Sequence, residues 1–165
     1  MNVKVQNAVE AIQKASNTPL EQFKDMLCNY LCLITDSTLS YFAKWDQAHQ
    51  ILTMIGWSKS AMINCSMIDK PIVYKLIETG LWGDAIREKK PVITNDYKNL
   101  VKPTKKGYPK GHINVKKHMN LPIRENGKPV LIVGVGNKIA DYNLDDAKKI
   151  EELMNQVWPI LKSKL

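Results

Sequence analysis

Residues 118–136 read HMNLPIRENGKPVLIVGVG, and this stretch decides the fold class. Two segments suited to β-strands flank Asn126-Gly127, a pair that accepts the positive φ angles of a two-residue hairpin turn. The stretch therefore predicts an antiparallel β-hairpin. Pro122 lies inside its first strand, and because proline has no amide hydrogen to donate, it predicts a sheet edge or a bulge at that point.

Working outward, a second hairpin is predicted upstream of the first. Residues 38–45 and 50–57 alternate apolar with polar positions, contain aromatic and β-branched residues, and are joined by four polar-type turn residues, 46–49. Between the two hairpins, residues 81–88 predict a short helical segment and residues 91–94 a short strand.

Helices are predicted at both ends of this β-rich region. Residues 1–16 form an amphipathic pattern, and a second helix is expected to begin with Thr18 as N-cap and Pro19 in the first helical position. The closing helix, 143–165, carries apolar residues at heptad spacing: Ala147, Ile150, Met154, Val157 and Leu161. This seam either pairs two chains or packs on the sheet. Pro159 predicts that the helix kinks or ends nearby.

This order of elements predicts an α+β fold around one antiparallel sheet, with residues 1–165 forming a single domain. No apolar run reaches the roughly 20 residues needed to cross a bilayer, so no membrane partner is expected. The start lacks the apolar core of a signal peptide, and three cysteines are too few for a disulfide scaffold. A reducing, cytoplasmic setting is therefore predicted.

The formal net charge of +8 is concentrated in one segment. Residues 97–124 contain eight Lys or Arg and no acidic residue. Such a segment favours an anionic ligand, a nucleic acid or a solvated loop. Its only aromatic rings besides histidine are Tyr97 and Tyr108, too few for a base-stacking platform, and its prolines and glycines indicate a loop. Nucleic-acid binding is consequently the less favoured interpretation.

Candidate chemical groups are sparse. His49, His112 and His118 fall in different predicted elements, and no cysteine pair has the spacing of a zinc site, so no metal is expected. Cys65 beside His112 or His118 would allow a reactive thiolate, whereas a lone cysteine usually serves packing. Both interpretations remain open. No glycine-rich loop of the Walker type is present.

Several longer motifs follow one another in a recognisable order: Trp57-Ser58, GLWGDAIR (80–87), PVITNDY (91–97), KGYPKGH (106–112), HMNLPI (118–123) and GVGNK (134–138). Together they resemble a GAF domain of the kind found in bacterial and archaeal signalling proteins. The resemblance implies an antiparallel sheet with the terminal helices on one face and a pocket of loops and short helices on the other. It also implies a non-catalytic sensor that binds a small molecule, without naming the ligand or any cofactor.

In such a layout seven residues are predicted to bind the ligand: Trp57, Cys65, Trp82, Asn95, Tyr97, His112 and Asn120. Each of them also has an interpretation as ordinary packing. The basic segment becomes a lid whose lysines, Lys105, Lys106 and Lys110, favour an anionic ligand. Asn137, Lys138, Tyr142 and Asp146 resemble a family signature that stabilises the fold outside the pocket, through a Lys–Asp salt bridge.

The resemblance further implies partners. The terminal helices of such domains often form a homodimer. In longer proteins the domains regulate a histidine kinase, a diguanylate cyclase or an HD-type phosphodiesterase. Two other functions remain as alternatives. One is a redox enzyme of the same fold that uses Cys65, and the other is a basic nucleic-acid-binding module.

Overall fold

The hairpin at residues 118–136 lies inside an antiparallel sheet in the computed structural model, which describes residues 2–63, 72–108 and 110–165. The described strands are β1 (Leu39–Asp46), β2 (Ile51–Trp57), β3 (Val73–Lys75), β4 (Val92–Thr94), β5 (His118–Glu125) and β6 (Lys128–Gly136). Their spatial order is β3-β2-β1-β6-β5-β4. Both predicted hairpins and the short strand at 91–94 are confirmed.

The turn between β5 and β6 has the backbone that its residues predict, with φ of 51° at Asn126 and 77° at Gly127. Pro122 pairs with Ile132 on its β6 side. On its other side β4 reaches only as far as Asn120, so Pro122 lies where β5 has become an edge and an amide donor is not needed. The register also shifts just beyond it, between Ile123 and Arg124.

Three helices cover one face of the sheet: α1 (Val3–Lys14), α2 (Leu20–Thr35) and α5 (Leu144–Lys162). They enclose the larger core, in which Phe23, Leu27 and Leu31 of α2 meet strand residues such as Phe42 and Leu121. The α+β class and the placement of the terminal helices on one face are therefore confirmed. None of the helices in the described ranges is long and apolar enough to span a bilayer.

The heptad seam of α5 is used inside the chain. All five of its residues are buried in the core shared with α1, α2 and the sheet: Ala147, Ile150, Met154, Val157 and Leu161. The seam thus packs on the chain's own helices and strands, and homodimerisation remains a prediction that would have to use other residues. Pro159 lies inside α5, and the helix ends three residues later, at Lys162, in agreement with the predicted end near this proline.

The predicted N-cap of α2 is wrong. The Thr18 hydroxyl donates to the Ala15 carbonyl, at 2.8 Å, and so closes the connection from α1 instead of capping the next helix. Helix α2 begins at Leu20, and the Pro19 carbonyl accepts the first helical hydrogen bond from the Phe23 amide. A threonine hydroxyl can hydrogen-bond to several nearby backbone groups, and here it bonds to the carbonyl at the end of the preceding helix.

The other face of the sheet carries the shorter elements. These are α3 (Lys59–Ile63), two single turns of 3₁₀ helix (Leu76–Glu78 and Leu81–Gly83) and α4 (Asp84–Glu88). Ala85 and Ile86 of α4 pack with Trp45, Leu52 and Ile132 into a smaller second core. This core fixes α4 on the sheet, and the loops around it leave space over β1, β5 and β6.

Candidate ligand cavity

A cavity of about 590 Å³ lies between this face of the sheet and the covering loops. Its floor is formed by β1, β5 and β6, and its walls come from the end of β2, the turn at 78–82 and residues 106–108 and 112–115. Cavities of this size suit a small organic molecule, and aromatic walls with few polar groups are typical of such sites.

Five of the seven predicted ligand residues line the cavity: Trp57, Trp82, Tyr97, His112 and Asn120. Cys65 lies outside the described residues. Asn95 is not part of the lining. Its side-chain amide donates to the Tyr142 carbonyl at 3.0 Å and its side-chain oxygen accepts from the Tyr142 amide at 2.8 Å, so it fastens the chain ahead of α5.

A row of hydrogen-bonded side chains crosses the cavity floor. The Tyr41 hydroxyl donates to Oδ1 of Asn120 at 2.5 Å, and Nδ2 of Asn120 lies 2.8 Å from Nδ1 of His118. Gly134 on β6 faces both Tyr41 and Asn120 across the sheet. Tyr41 and His118 were missed as site residues. Alternating side chains on β1 and β5 indicated which face each would occupy, but not which face held the cavity.

Burial keeps both ends of this row uncharged at neutral pH. Desolvation lowers the pKa of His118 to about 4, and the Coulombic influence of Asp84 opposes this only partly. Desolvation likewise raises the pKa of Tyr41 far above its ordinary value. The floor is therefore polar and neutral, because a charge there would lose its hydration without gaining an opposite charge.

Aromatic rings form two walls. In the first, Tyr108 stacks between Tyr97 and His112, with both centroid separations at 4.7 Å and interplanar angles of 21° and 4°. In the second, Trp82 meets Tyr41 and Tyr74 edge to face, at 5.9 and 5.2 Å. Both geometries are favourable for aromatic pairs, so the walls hold each other in place without a ligand.

The three lysines of the predicted lid have different roles. Lys105 holds the loop together. Its ammonium donates to the carbonyls of Tyr97 at 2.6 Å and Leu100 at 3.0 Å, and lies 4.5 Å from the Tyr97 ring centroid. Lys106 lines the cavity, and its ammonium donates to the Ile77 carbonyl at 2.8 Å. Lys110 is exposed and is not part of the lining.

A charged cluster beneath the walls holds the turn that carries Trp82. Arg87 donates to the carbonyls of Leu76, Thr79 and Gly80, at 2.6, 2.7 and 3.1 Å. The Asp84 carboxylate is 2% exposed and accepts from Arg87 at 2.6 Å. These contacts satisfy backbone groups that an irregular turn would otherwise leave unpaired.

The same carboxylate also anchors the basic loop. Lys102 lies 2.7 Å from Asp84, and the Thr104 hydroxyl donates to it at 2.6 Å. Burial by itself would raise the pKa of Asp84, but the hydrogen bonds from Lys102, Thr104 and Arg87 outweigh it and the pKa is lowered. The sequence motif 80–87 included Asp84 and Arg87, but nothing in it pointed to partners near residue 102.

The four signature residues lie away from the cavity lining, at the start of α5. Lys138 Nζ lies 2.7 Å from Asp146 Oδ2, and the Tyr142 hydroxyl accepts from the Lys138 amide at 3.2 Å. Asn137 accepts from the Lys116 amide at 2.8 Å and donates to the Asn114 carbonyl at 2.9 Å. The set thus joins the end of β6, the basic segment and the first turn of α5.

Lys138→Met is expected to lower the free energy of unfolding by about 2 kcal/mol, because it leaves the buried Asp146 carboxylate without its closest cation. The loss stays below the usual cost of an orphaned buried charge, since Lys149 remains 3.4 Å away. Urea unfolding measures it. Lys149→Met is the control and should cost less than half as much, and equal effects would show that the two lysines are interchangeable partners.

Other reactive groups in the described part of the chain lie elsewhere. No group of three His, Cys, Asp or Glu among the described residues is placed to hold a metal ion. Cys28 is buried in the helical layer, and burial raises the pKa of its thiol to about 12, which keeps it protonated. Desolvation also raises the pKa of the neighbouring Cys32.

Comparison with known proteins gives three results. The family model described as GAF domain matches residues 17–162. The chain is 37% identical over 157 residues to the methyl sulfide methyltransferase-associated sensor of Methanosarcina acetivorans, covering 95% of this chain and 16% of that protein. This chain therefore spans about a sixth of the length of that curated relative.

Solved structures with the same fold include two of particular interest. One is the GAF domain of an Acinetobacter phosphoenolpyruvate-protein phosphotransferase, with a TM-score of 0.70, 14% identity and coverage of 99% of this chain and 95% of that one. The other is the free methionine-R-sulfoxide reductase of Neisseria meningitidis in complex with its substrate, with a TM-score of 0.68, 12% identity and coverage of 97% and 89%. At these identities the likeness concerns the fold alone.

Proposed function

The chain belongs to the GAF domain family, and from this premise we propose that it is a non-catalytic, small-molecule-binding sensor domain of a signal-transduction protein. The observation that carries the proposal is the cavity of about 590 Å³, with aromatic walls and a neutral polar floor. A relative named as a sensor supports the regulatory role.

The cavity is already formed without a ligand, and this supports a role in ligand binding for the residues that line it. Ring pairs and hydrogen bonds already hold Trp82, Tyr97 and Asn120 in place, so a ligand meets a formed site and loses little free energy in ordering it. Of the proposed lid lysines, Lys106 is the one in the lining, and it would meet an anionic group of the ligand. Lys105 is proposed to hold the loop shape instead.

Trp57→Ala is expected to weaken binding of a small molecule by at least about tenfold, because it removes a large aromatic side chain from the cavity lining. The measurement is mass spectrometry of small molecules co-purifying with the domain, followed by calorimetry with the molecule identified. Tyr30→Ala is the matched control, since Tyr30 packs on the helical core and should leave affinity unchanged. Equal retention by wild type and Trp57→Ala would contradict a ligand site here.

A redox enzyme is the second candidate, favoured by the reductase among the structures of similar fold. Its thiol would be Cys65, because the raised thiol pKa values of Cys28 and Cys32 do not suit a nucleophile. Incubation with free methionine sulfoxide and a thiol reductant separates the two functions. Turnover that is lost in Cys65→Ser would establish the enzyme, and ligand retention after complete thiol alkylation would support the sensor.

The wider context is also proposed. In a longer protein the domain would regulate an effector such as a histidine kinase, a diguanylate cyclase or an HD-type phosphodiesterase, in a reducing cytoplasmic setting. A homodimer would have to form through exposed residues of the terminal helices, such as Val3 of α1 and Leu144 of α5, since the α5 seam is buried. Analytical ultracentrifugation of the domain tests the dimer directly.

A further inference from the structure

We propose that His118 is the specificity-determining residue of the cavity floor, and that it selects a ligand carrying a hydrogen-bond acceptor such as a carboxylate or carbonyl oxygen. The inference rests on the proposed function, because it names the ligand chemistry of the same cavity. It follows from the direction of the hydrogen bonds along the Tyr41–Asn120–His118 row.

The hydrogen bonds of the row all run in one direction, from Tyr41 as donor through Asn120 to His118 as acceptor. The Tyr41 hydroxyl donates its hydrogen to Oδ1 of Asn120, so the amide group Nδ2 of Asn120 is the end that faces His118. An amide nitrogen carries hydrogens and cannot accept, so Nδ1 of His118 must be the acceptor. In a neutral imidazole the proton then sits on Nε2. The row therefore fixes the tautomer of His118.

The Nε2–H group is left for a ligand. His118 is 9% exposed and is part of the cavity lining. The only hydrogen bond of its side chain to other described residues is the one at Nδ1. Among the described residues, no side-chain nitrogen or oxygen is both fully buried and without a hydrogen-bond partner. Nε2 has no such partner in the described chain, so it is not fully buried. Because His118 lines the cavity, we infer that Nε2 is accessible from it.

The neighbouring Tyr41 hydroxyl does not offer the ligand a second hydrogen-bond donor. The single Tyr41 hydrogen is donated to Asn120, and Oδ1 of Asn120 already accepts it. The floor accordingly presents a donor in a neutral, largely desolvated environment. An oxygen acceptor gains a hydrogen bond from Nε2–H there, whereas an ammonium group, which has only donors, gains none from it and loses hydration in the largely desolvated floor.

The first test needs no ligand. Nitrogen-15 chemical shifts of labelled protein distinguish a protonated from an unprotonated imidazole nitrogen. The expected result is a neutral ring with the proton on Nε2 of His118, and with Nδ1 unprotonated. A proton on Nδ1 would mean that the row runs in the opposite direction, and would overturn the proposal.

The second test uses three probes with the same phenyl group: phenylacetate, phenylacetamide and 2-phenylethylamine. NMR titration should show the carboxylate and the amide binding at least about tenfold more tightly than the amine. His118→Phe should abolish that preference, while His118→Gln, which retains an N–H donor, should keep part of it. A merely structural role for His118 would lower all three affinities together.

Equal binding of the amine, or a preference unchanged in His118→Phe, would overturn the assignment of His118. If none of the probes binds although the nitrogen shifts show the Nε2–H tautomer, the failure lies with the proposed ligand function, and the selectivity proposal falls with it. Thermal unfolding of both variants confirms that the fold is retained. If His118→Phe does not fold, the His118→Gln ratio alone decides.

Discussion

Gly134→Ala is expected to lower the free energy of unfolding by about 3 kcal/mol and to disrupt the cavity floor, because this position has no room for a side chain. A Cβ atom at 134 would lie 1.9 Å from Cε1 of Tyr41 and 2.6 Å from Oδ1 of Asn120. β6 lies between β1 and β5, so the backbone of Gly134 cannot move away from either neighbour. Urea unfolding measures the loss.

Gly136→Ala is the matched control on the same strand. There the nearest atom to an added Cβ is Cδ1 of Leu39 at 3.3 Å, the movable end of a flexible side chain, so the cost should stay below about 1 kcal/mol. The Tyr41→Ala change should relieve part of the Gly134→Ala defect, which a double-mutant cycle detects. Similar stabilities of the two glycine variants would contradict the close packing of Tyr41 over Gly134.

Local patterns were sufficient for the framework of the fold. The Asn126-Gly127 turn, the strand alternation and the apolar stripes of α1 and α5 each reflect interactions between residues that are close in sequence. Local patterns could not decide whether the α5 seam pairs with a second chain or packs on the chain's own sheet. A stripe of apolar side chains has the same spacing whether its partner is another chain or the chain's own sheet.

The candidate site was predicted in part for a related reason. Residues such as Trp57 and Trp82 are named by motifs within one segment, but Tyr41 and Gly134 become neighbours only through strand pairing. Asn95 illustrates the opposite case: its motif suggested a ligand contact, whereas in the structure its amide binds the backbone of Tyr142, 47 residues away. Side-chain direction in a loop depends on contacts that lie far away in sequence.

Asp84→Asn is expected to lower the free energy of unfolding by about 3 kcal/mol, because it removes the carboxylate that serves Arg87, Lys102 and Thr104 together. The estimate is at the lower end for breaking a buried ion pair. Arg87 keeps its backbone carbonyls, and Lys102 keeps Glu88 at 2.5 Å. The Trp82 turn and the basic loop should both loosen, which hydrogen exchange at their amides would detect.

The pH dependence of the effect follows from the lowered pKa of Asp84. A carboxyl group whose pKa is lower in the folded than in the unfolded state stabilises the protein above its ordinary pKa, and this contribution is lost as the pH falls through the folded-state pKa. The difference between wild type and Asp84→Asn should therefore be constant above about pH 5 and shrink in stronger acid.

Glu88→Gln is the control for this cluster, because the Glu88 side chain is 31% exposed and shares only Lys102 with Asp84. An exposed pair of this kind contributes at most about 1 kcal/mol, so Glu88→Gln should be the milder change at neutral pH. Urea unfolding at pH 7 and pH 3 compares the two variants with wild type. If Asp84→Asn costs no more than Glu88→Gln, the loops are held by backbone contacts and not by the Asp84 carboxylate.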